Sequence, residues 1–458
     1  MAETDEKIQG YRNPGDIEVK QMIFVSPQGQ VIDISSIVTE FNLFQSIFDT
    51  FLKCEVTIND SVGLIDSLVG ADGYAGGFTG SEVIVVSYKT KDDEFEFRNH
   101  AFGLHQLENR QRVSEKSEAY LMHGCSVEYY NTIQRKLSRA YGGTSGNQIS
   151  SMVKSIVDEF MGGTTFEAFY NDLKGKTGVR VTKTNRYDQS NGLQRFIVPN
   201  VTVNDALDML AVEADCDGHV PYYIFFENAD GFQFRDINTL LKEGGDAPKN
   251  TYTYEPSNYK DVEQENATAE FKDPFKIINF SMDNEQEQLE NIEQGLFASR
   301  TINIDIMKKT TSTVNFDYNK EVSKFNTLQR LPIAGTANPE ANINLTTSRS
   351  GQDADPFFAD EGVLPKRINQ FISKKRSFFA HNFNTTMTAT IHGDSDLQAG
   401  DVIELRIPVG TNLNDTDGQD DKYLSGKYLI ASLRHSFSGK TGSQFTTVLE
   451  LAKSTGNE

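Results

Sequence analysis

The sequence predicts a β-rich α+β fold of several domains. Two similar antiparallel β-barrels are expected on either side of an α/β domain, with a short helical segment before the closing strands. Short runs with period-two alternation occur towards both ends of the chain, which is typical of strands with one buried face. Between them, the hydrophobic period changes to that of amphipathic helices. The length of 458 residues leaves room for several domains of ~100–200 residues each.

Residues 19–127 are predicted to form the first β-barrel domain, after a mobile tail over residues 1–18. Short β-rich runs alternate there with turns that carry Gly, Asp and Asn. A hairpin is indicated at residues 27–30, and the glycine-rich residues 70–80 indicate an exposed loop. The predicted strands cover residues 20–25, 52–58, 83–88, 94–97, 102–107 and 120–127.

Residues 128–250 are predicted to form the α/β domain. Residues 147–160 place apolar side chains on one helical face, and two consecutive glycines then end the helix. A second helix is predicted to begin after Thr202, which can cap it three residues before Asp205. A hairpin of aromatic residues over 221–234 completes this domain.

Residues 251–380 are predicted to form a second β region, and residues 381–458 the closing barrel strands. The closing strands are expected to share one discontinuous barrel with part of residues 251–345. Residues 283–293 are an acidic insertion, predicted as a helix or loop. The remaining predictions are strands at 276–280, 301–306 and 313–318, a helix at 366–379, and closing strands within 383–391, 403–407, 423–430 and 445–451.

The charge and cysteine content exclude several classes of protein. A net charge of −21 argues against a dedicated nucleic-acid binder, which needs a cationic surface. The three cysteines are widely spaced, so they predict neither a disulfide framework nor a zinc pattern. The acidic N-terminus has no signal-peptide pattern, and no apolar run reaches the ~18 residues of a membrane span. Synthesis in the reducing cytosol is therefore expected.

Two short motifs resemble the end of a phosphate-binding loop. They lie at residues 175–177 and 439–441, and both read Gly-Lys-Thr. The motif needs a further glycine five residues before the last one, between a strand and a helix. Tyr170 and Arg434 occupy those positions, so no nucleotide site is predicted.

Four aspartates crowd one loop, where a calcium site is the alternative to a solvated acidic loop. They are Asp415, Asp417, Asp420 and Asp421. A calcium-binding loop of the EF-hand type alternates its oxygen ligands and ends in a glutamate. Here Gly418 directly follows Asp417 and no glutamate closes the loop, so the solvated loop is predicted.

The sequence predicts no catalytic, cofactor-binding or metal-binding residues. The histidines lack the two-histidine helical spacing of zinc hydrolases, and His219 beside Asp215 and Asp217 is the one weak indication of a metal. There is no Gly-x-Ser-x-Gly elbow. A glycosidase carboxylate pair stays open, although the chain has no tryptophan for stacking sugars. The seven histidines are His100, His105, His123, His219, His381, His392 and His435.

One basic cluster stands out in this acidic chain. A solvated helix face is the first interpretation, and contact with an acidic neighbour, such as another copy of the chain, is the second. Direct contact with DNA is the third. The cluster consists of Lys366, Arg367, Lys374, Lys375 and Arg376.

Several segments form a recognisable pattern when they are taken in order along the chain. The first is a bulky run that leads into a strand closed by Asn59 and Asp60, and the capped helix after Thr202 and the closing Leu-Glu-Leu strand follow. The segments are residues 41–60, 80–82, 197–199, 202–214, 223–227, 230–234, 397–401 and 424–430. In this order they resemble the baseplate hub proteins of contractile-tailed bacteriophages, including the T-even type. The hub part of secretion-system spike proteins is related.

The resemblance implies a structural virion protein of the tail baseplate. Each subunit would contribute two tube-type barrels, so a homotrimer forms a pseudo-sixfold ring between a trimeric central spike and a hexameric tail tube or tube initiator. The ring would leave a channel for DNA and the tape-measure protein, and wedge proteins are further possible partners. Membrane insertion, cofactors and catalytic residues are not implied. Because the chain ends at Glu458, soon after the closing strands, the spike is expected to be a separate polypeptide.

Two alternatives stay open. One is the hub component of a phage-like injection or secretion machine, whose cargo is protein. The other is an enzyme that acts on the cell wall.

Overall fold

A computed structural model of the protein is β-rich, with α-helices between two groups of antiparallel strands, which confirms the predicted fold class at this level. None of the helices among the described residues is long and apolar enough to span a membrane. The domain boundaries predicted at residues 19, 128, 251 and 381 stay predictions. The structure describes residues 14–68, 77–91, 95–142, 147–254, 274–284, 288–305, 309–328, 335, 338–340, 342–348, 368–409, 420–438 and 444–454.

The first group of strands forms an antiparallel sheet in the order β2-β1-β5-β6-β7-β4-β3. Its inward-facing side chains, among them Phe24, Phe41 and Phe102, are buried in one apolar core. Most of the predicted strands are present, but residues 95–97 of the predicted strand at 94–97 form none. The strands are β1 Ile17–Val25, β2 Val31–Asp33, β3 Val38–Ser46, β4 Lys53–Asp60, β5 Val83–Thr90, β6 Arg98–Ser114 and β7 Ser117–Ser126.

The middle of the chain packs helices against two small sheets around a second core. The predicted cap is present, because the Thr202 hydroxyl accepts a hydrogen bond from the Asp205 amide at 3.2 Å. The predicted helix ends at Phe160, but a further helix, α3, starts at Gly163. The elements are α1 Val127–Ile133, β8 Lys136–Tyr141, α2 Ile149–Phe160, α3 Gly163–Thr177, β9 Arg186–Tyr187, β10 Phe196–Thr202, α4 Val203–Glu213, β11 Tyr223–Asn228, β12 Gly231–Asp236 and α5 Ile237–Asp246.

The last part of the chain forms a second group of strands and a separate three-stranded sheet. The closing strands pair in the order β14-β18-β21-β20, with β19 on β20 and β13 on β19. Strands β16, β15 and β17 form the separate sheet under helix α8. The elements are β13 Thr251–Thr253, β14 Ile277–Asn284, α6 Gln288–Glu293, β15 Ala298–Asp305, β16 Thr310–Asp317, α7 Tyr318–Glu321, β17 Ile343–Ser348, α8 Ile368–Asn382, β18 Thr385–His392, β19 Val402–Arg406, β20 Gly426–Phe437 and β21 Thr446–Lys453.

The two groups of strands meet at a seam where β3 pairs with β20. Six residue pairs form this antiparallel ladder, from Ser46 opposite Ser432 to Phe41 opposite Phe437. The pairing joins both groups into one 13-stranded sheet. The predicted closed barrels are not confirmed. In the C-terminal group, a single isolated bridge between Thr253 and Lys276 connects β13 to the segment before β14.

Aromatic rings fill the core on both sides of the seam. The Phe437 ring centroid lies 5.1 Å from that of Phe41 and 4.7 Å from that of Tyr88. Phe445, on the segment before β21, is fully buried and lies 5.7 Å from Phe437. Gly393, directly after β18, makes room for this ring, because a Cβ atom there would collide with it. The seam therefore depends on side chains from both ends of the chain.

Two buried histidines border this aromatic core. The His435 ring bonds the Thr447 hydroxyl at 2.9 Å and the Leu397 carbonyl at 3.3 Å. Burial lowers the pKa of His435 to about 4 and that of His100 to about 3. Both side chains are therefore neutral in the folded protein at neutral pH.

We expect acid to destabilise the protein through His435. The unfolded side chain takes up a proton below pH ~6.5, whereas the folded one does so only near pH 4. The unfolded state thus binds more protons in this window, so stability falls as the pH falls. Urea unfolding at pH 6.5, 6 and 5 should show the wild type losing about 1 kcal/mol per pH unit more than His435→Gln. The titrating carboxylates are the same in both proteins, so their contribution cancels in the difference between the two pH slopes. Equal slopes would contradict the prediction.

Candidate functional site

One candidate surface is an apolar groove of about 710 Å³ between helix α4, strand β11 and helix α8. Phe48, in the loop after β3, stands at its edge with 53% of its surface exposed. Val212, at the end of α4, is 52% exposed. The groove is lined by Ile47, Phe48, Asp208, Ala211, Val212, Tyr222, Tyr223, Ile224, Phe225, Glu293, Gln294, Asn342, Ile372, Lys375, Arg376 and Phe379.

Stacked aromatic rings form one wall of this groove. The Phe379 ring stacks on Tyr222 at 5.6 Å and on Phe383 at 4.4 Å. Phe48 makes an edge contact with Phe379 at 6.0 Å. Such a wall presents a flat apolar surface with an exposed edge, which can accept an apolar segment of a partner. Sequence reasoning missed this groove, because its rings come from three distant segments.

The described part of the basic cluster uses its charges within the chain. Lys374 pairs with Glu321 at 2.8 Å. Lys375 donates to the Val212 carbonyl at 2.6 Å, and burial lowers its pKa. Arg376 donates to the Asn344 side chain. Three of the five predicted cations thus hold α8 in place, and Lys366 and Arg367 lie outside the described residues.

Three parts of the chain meet at Arg98. Its guanidinium pairs with Asp230, in the β11–β12 turn, at 2.6 Å and with Asp396, in the turn after β18, at 2.7 Å. Lys249 reinforces the junction by pairing with Asp401 at 3.0 Å and with Asp396 at 3.4 Å. The two groups of strands and the α/β part are therefore tied together away from the seam.

A buried ion cluster fixes the α/β part to the first group of strands. The Lys183 ammonium lies 2.7 Å from a Glu128 oxygen and 2.6 Å from a Glu227 oxygen. The other Glu227 oxygen accepts from the Ser126 hydroxyl at 2.6 Å and from the Leu52 amide at 3.1 Å. Burial raises the pKa of Glu227, and the neighbouring Lys183 opposes that shift. One cation thus holds two nearly inaccessible carboxylates.

His219 is placed beside different partners from those nearest in sequence. Its Nε2 lies 2.6 Å from Oδ2 of Asp236, at the end of β12, and this hydrogen bond raises the pKa of His219. Cys216 Sγ lies 3.5 Å from the His219 carbonyl oxygen. The ligand atoms of Cys216, His219 and Asp236 lie within 4.8 Å of one another. Because Asp236 belongs to a different element and forms no sequence motif with the other two, spacing alone does not identify this group.

The other residues that the sequence motifs singled out belong to ordinary helices, turns and bridges. Residues 175–177 form the last turn of α3 rather than a strand-to-helix loop, so they cannot wrap a phosphate. Asp421 caps a turn by accepting from the amides of Tyr423 and Leu424. Asp420 forms an isolated bridge with Pro408. Residues 415, 417 and 439–441 lie outside the described residues. Cys54 is buried.

Comparisons with known proteins give structural likeness at low sequence identity. No protein-family model matches the sequence, and neither does any curated protein. A tail protein from Neisseria meningitidis MC58 is 12% identical with a TM-score of 0.49, over 94% of this chain and 96% of that one. The 43 kDa tail protein of prophage MuSo2 from Shewanella oneidensis is 8% identical with a TM-score of 0.49, over 95% and 98%.

A component of the type VI secretion system from Escherichia coli is also similar. It is 9% identical with a TM-score of 0.38, over 95% of this chain and 76% of that one. That component is itself structurally similar to tail proteins of bacteriophage T4. Tail proteins and a secretion component are thus among the structures that this chain is similar to.

Proposed function

We propose that this protein is a structural hub subunit of a phage tail baseplate. Three copies form a ring that joins a trimeric central spike to a hexameric tail tube or tube initiator. The ring leaves a channel for DNA and the tape-measure protein, and its outer surface is available to wedge proteins. The protein acts by assembly and not by catalysis, and its location is the virion.

The observation that carries this proposal is the seam between β3 and β20. It sets two groups of antiparallel strands side by side within one subunit and in one continuous sheet. One segment that resembles hub proteins, residues 41–60, contains the seam residues of β3, and another, residues 424–430, contains the start of β20 just before its seam residues. A threefold assembly of such subunits presents six strand groups, which matches a sixfold partner on one side and a threefold partner on the other.

The ties between the parts of the subunit support a role as a rigid adapter. Arg98 and Lys249 join three parts through ion pairs, and Lys183 anchors the α/β part from inside. A rigid subunit keeps its two strand groups at a fixed angle, which a closed ring requires. The net charge of −21 is compatible with a channel whose walls repel DNA phosphates rather than bind them.

The mass of the purified protein in solution tests the proposal. Light scattering after size exclusion, at 0.3 M salt to screen repulsion between acidic copies, should give three times the subunit mass of 51.2 kDa. Negative-stain images should show a ring with six lobes around a lumen. A strict monomer at high concentration, in the presence of the spike protein as well, would contradict the proposal.

The same preparation also tests the enzymatic alternative. A zymogram with embedded cell wall should stay without clearing at the position of this chain. Clearing that persists through repurification would favour a hydrolase over a structural hub.

A further inference from the structure

We infer that Cys216, His219 and Asp236 form a binding site for a divalent cation of borderline softness, such as Zn²⁺. The three residues offer one thiolate sulfur, one imidazole nitrogen and one carboxylate oxygen within 4.8 Å of one another. Sulfur and nitrogen ligands select zinc and related transition metals over Mg²⁺ and Ca²⁺, which prefer sites made of oxygen alone. None of these three residues belongs to the seam on which the proposed function rests.

The local backbone brings two of the ligands together in a tight turn. Cys216 and His219 lie three residues apart in the segment between α4 and β11. Gly218, between them, has a φ of +86°, a conformation that side chains with a Cβ rarely adopt. Asp236 reaches the same point from the last position of β12. A cation here would fasten this segment to the end of the hairpin.

A second contact orients the Asp236 ligand. The other Asp236 oxygen accepts from the Tyr222 amide at 2.9 Å, which directs Oδ2 at His219. Hydrogen bonds from outside the ligand set commonly orient metal ligands in this way.

Only small movements are needed to admit the ion. In a tetrahedral zinc site, bonds of ~2.0–2.3 Å place neighbouring ligand atoms ~3.3–3.7 Å apart. The 2.6 Å contact between His219 and Asp236 must therefore open by about 1 Å, and the sulfur must turn inward. Asp236 is nearly inaccessible, whereas the His219 side chain is 26% exposed, so water can supply the fourth ligand.

The carboxylates around the site favour a cation, but they also favour the protonated form of the Cys216 thiol. Burial raises the pKa of Cys216, and Asp236 and Asp215 raise it further. Lys375 acts in the opposite direction on the same thiol. Binding of the metal must release the thiol proton to solvent, so affinity should increase with pH. The alternative is an ordinary hydrogen-bonded pair between His219 and Asp236 beside an unrelated thiol.

Titration of the whole, metal-free protein with Co²⁺ distinguishes a metal site from an ordinary hydrogen-bonded pair. A stoichiometric site should show a thiolate-to-cobalt charge-transfer band together with intense tetrahedral d–d bands, and added Zn²⁺ should remove both. Cys216→Ser should lose the charge-transfer band, and His219→Gln should bind Co²⁺ at least about tenfold more weakly. Cys125→Ser is the matched control, because its buried thiol lies elsewhere, and it should keep the wild-type spectrum.

Three outcomes would overturn the inference. The first is the absence of any band at a Co²⁺ concentration of one equivalent or more. The second is a charge-transfer band that survives in Cys216→Ser and vanishes in Cys125→Ser, which would assign it to the other thiols. The third is binding without proton release in buffers of different ionisation enthalpy. Because the trimer mass is measured without added metal, failure here leaves the proposed hub function untouched.

Discussion

Replacing Phe437 with alanine is expected to lower the free energy of unfolding of the whole protein by about 3–5 kcal/mol. Phe437 is 1% exposed and is the last residue of β20, where it pairs with Phe41 across the seam. Its ring contacts Phe41, Tyr88 and Phe445, so truncation leaves a cavity bordered by side chains from both ends of the chain. The two groups of strands share this core, so both should lose stability together.

Urea unfolding at fixed protein concentration measures this effect, since assembly would make the apparent stability depend on concentration. The chain has no tryptophan, so far-UV circular dichroism and tyrosine fluorescence are the suitable probes. Phe48→Ala is the matched control, because the same truncation at a half-exposed ring should cost only about 1 kcal/mol. Equal losses for Phe437→Ala and Phe48→Ala would show that the seam is no more important than the surface.

The strands on either side of the seam differ in how well their sequence patterns predict them. The closing strands alternate cleanly, and residues 385–392 and 446–453 form the β18–β21 pair as their pattern predicts. The sequence pattern does not predict strand β3, although Phe41 and Leu43 alternate onto the face that is buried in the first core. On the opposite face Asn42 is also buried and Phe44 is half-buried, so side chains on both faces are covered. A period-two pattern cannot reveal a strand that is covered on both sides.

The sequence pattern also does not predict helix α3, for a different reason. Its apolar side chains, such as Phe166, Phe169 and Leu173, are few, and much of the helix is exposed. Gly162 precedes it and Gly163 is its first residue; this pair predicts the end of α2 correctly but conceals the start of the next helix. Weak amphipathicity over 15 residues leaves little for a pattern to detect.

The candidate sites depend on contacts between residues that are distant in sequence. The basic cluster is visible in the sequence as a group, but its partners Glu321, Val212 and Asn344 come from three other segments. The same holds for Asp236 beside His219. Residue type and spacing can predict local motifs, whereas these arrangements depend on how the helices and hairpins pack.

Replacing Lys183 with methionine is also expected to cost about 3–5 kcal/mol at pH 7, because removing one partner of a buried ion cluster leaves its opposite charges uncompensated. Methionine keeps most of the apolar stem but removes the ammonium that lies within 2.7 Å of both Glu128 and Glu227. Their side chains are 1% and 0% exposed, so water cannot replace the lost cation. Urea unfolding at fixed concentration measures the loss.

The pH dependence of this variant identifies the cause of the loss. Burial already raises the pKa of Glu227, and without Lys183 that pKa should rise further above its value in the unfolded chain. The folded variant then binds more protons than the unfolded one, so the penalty should shrink as the pH falls from 7 to 5. Adding Glu227→Gln should restore part of the stability at pH 7, because the amide oxygen can still accept from the Leu52 amide. A penalty that is the same at both pH values would mean that packing of the lysine stem, and not the two carboxylates, holds the α/β part against the first group of strands.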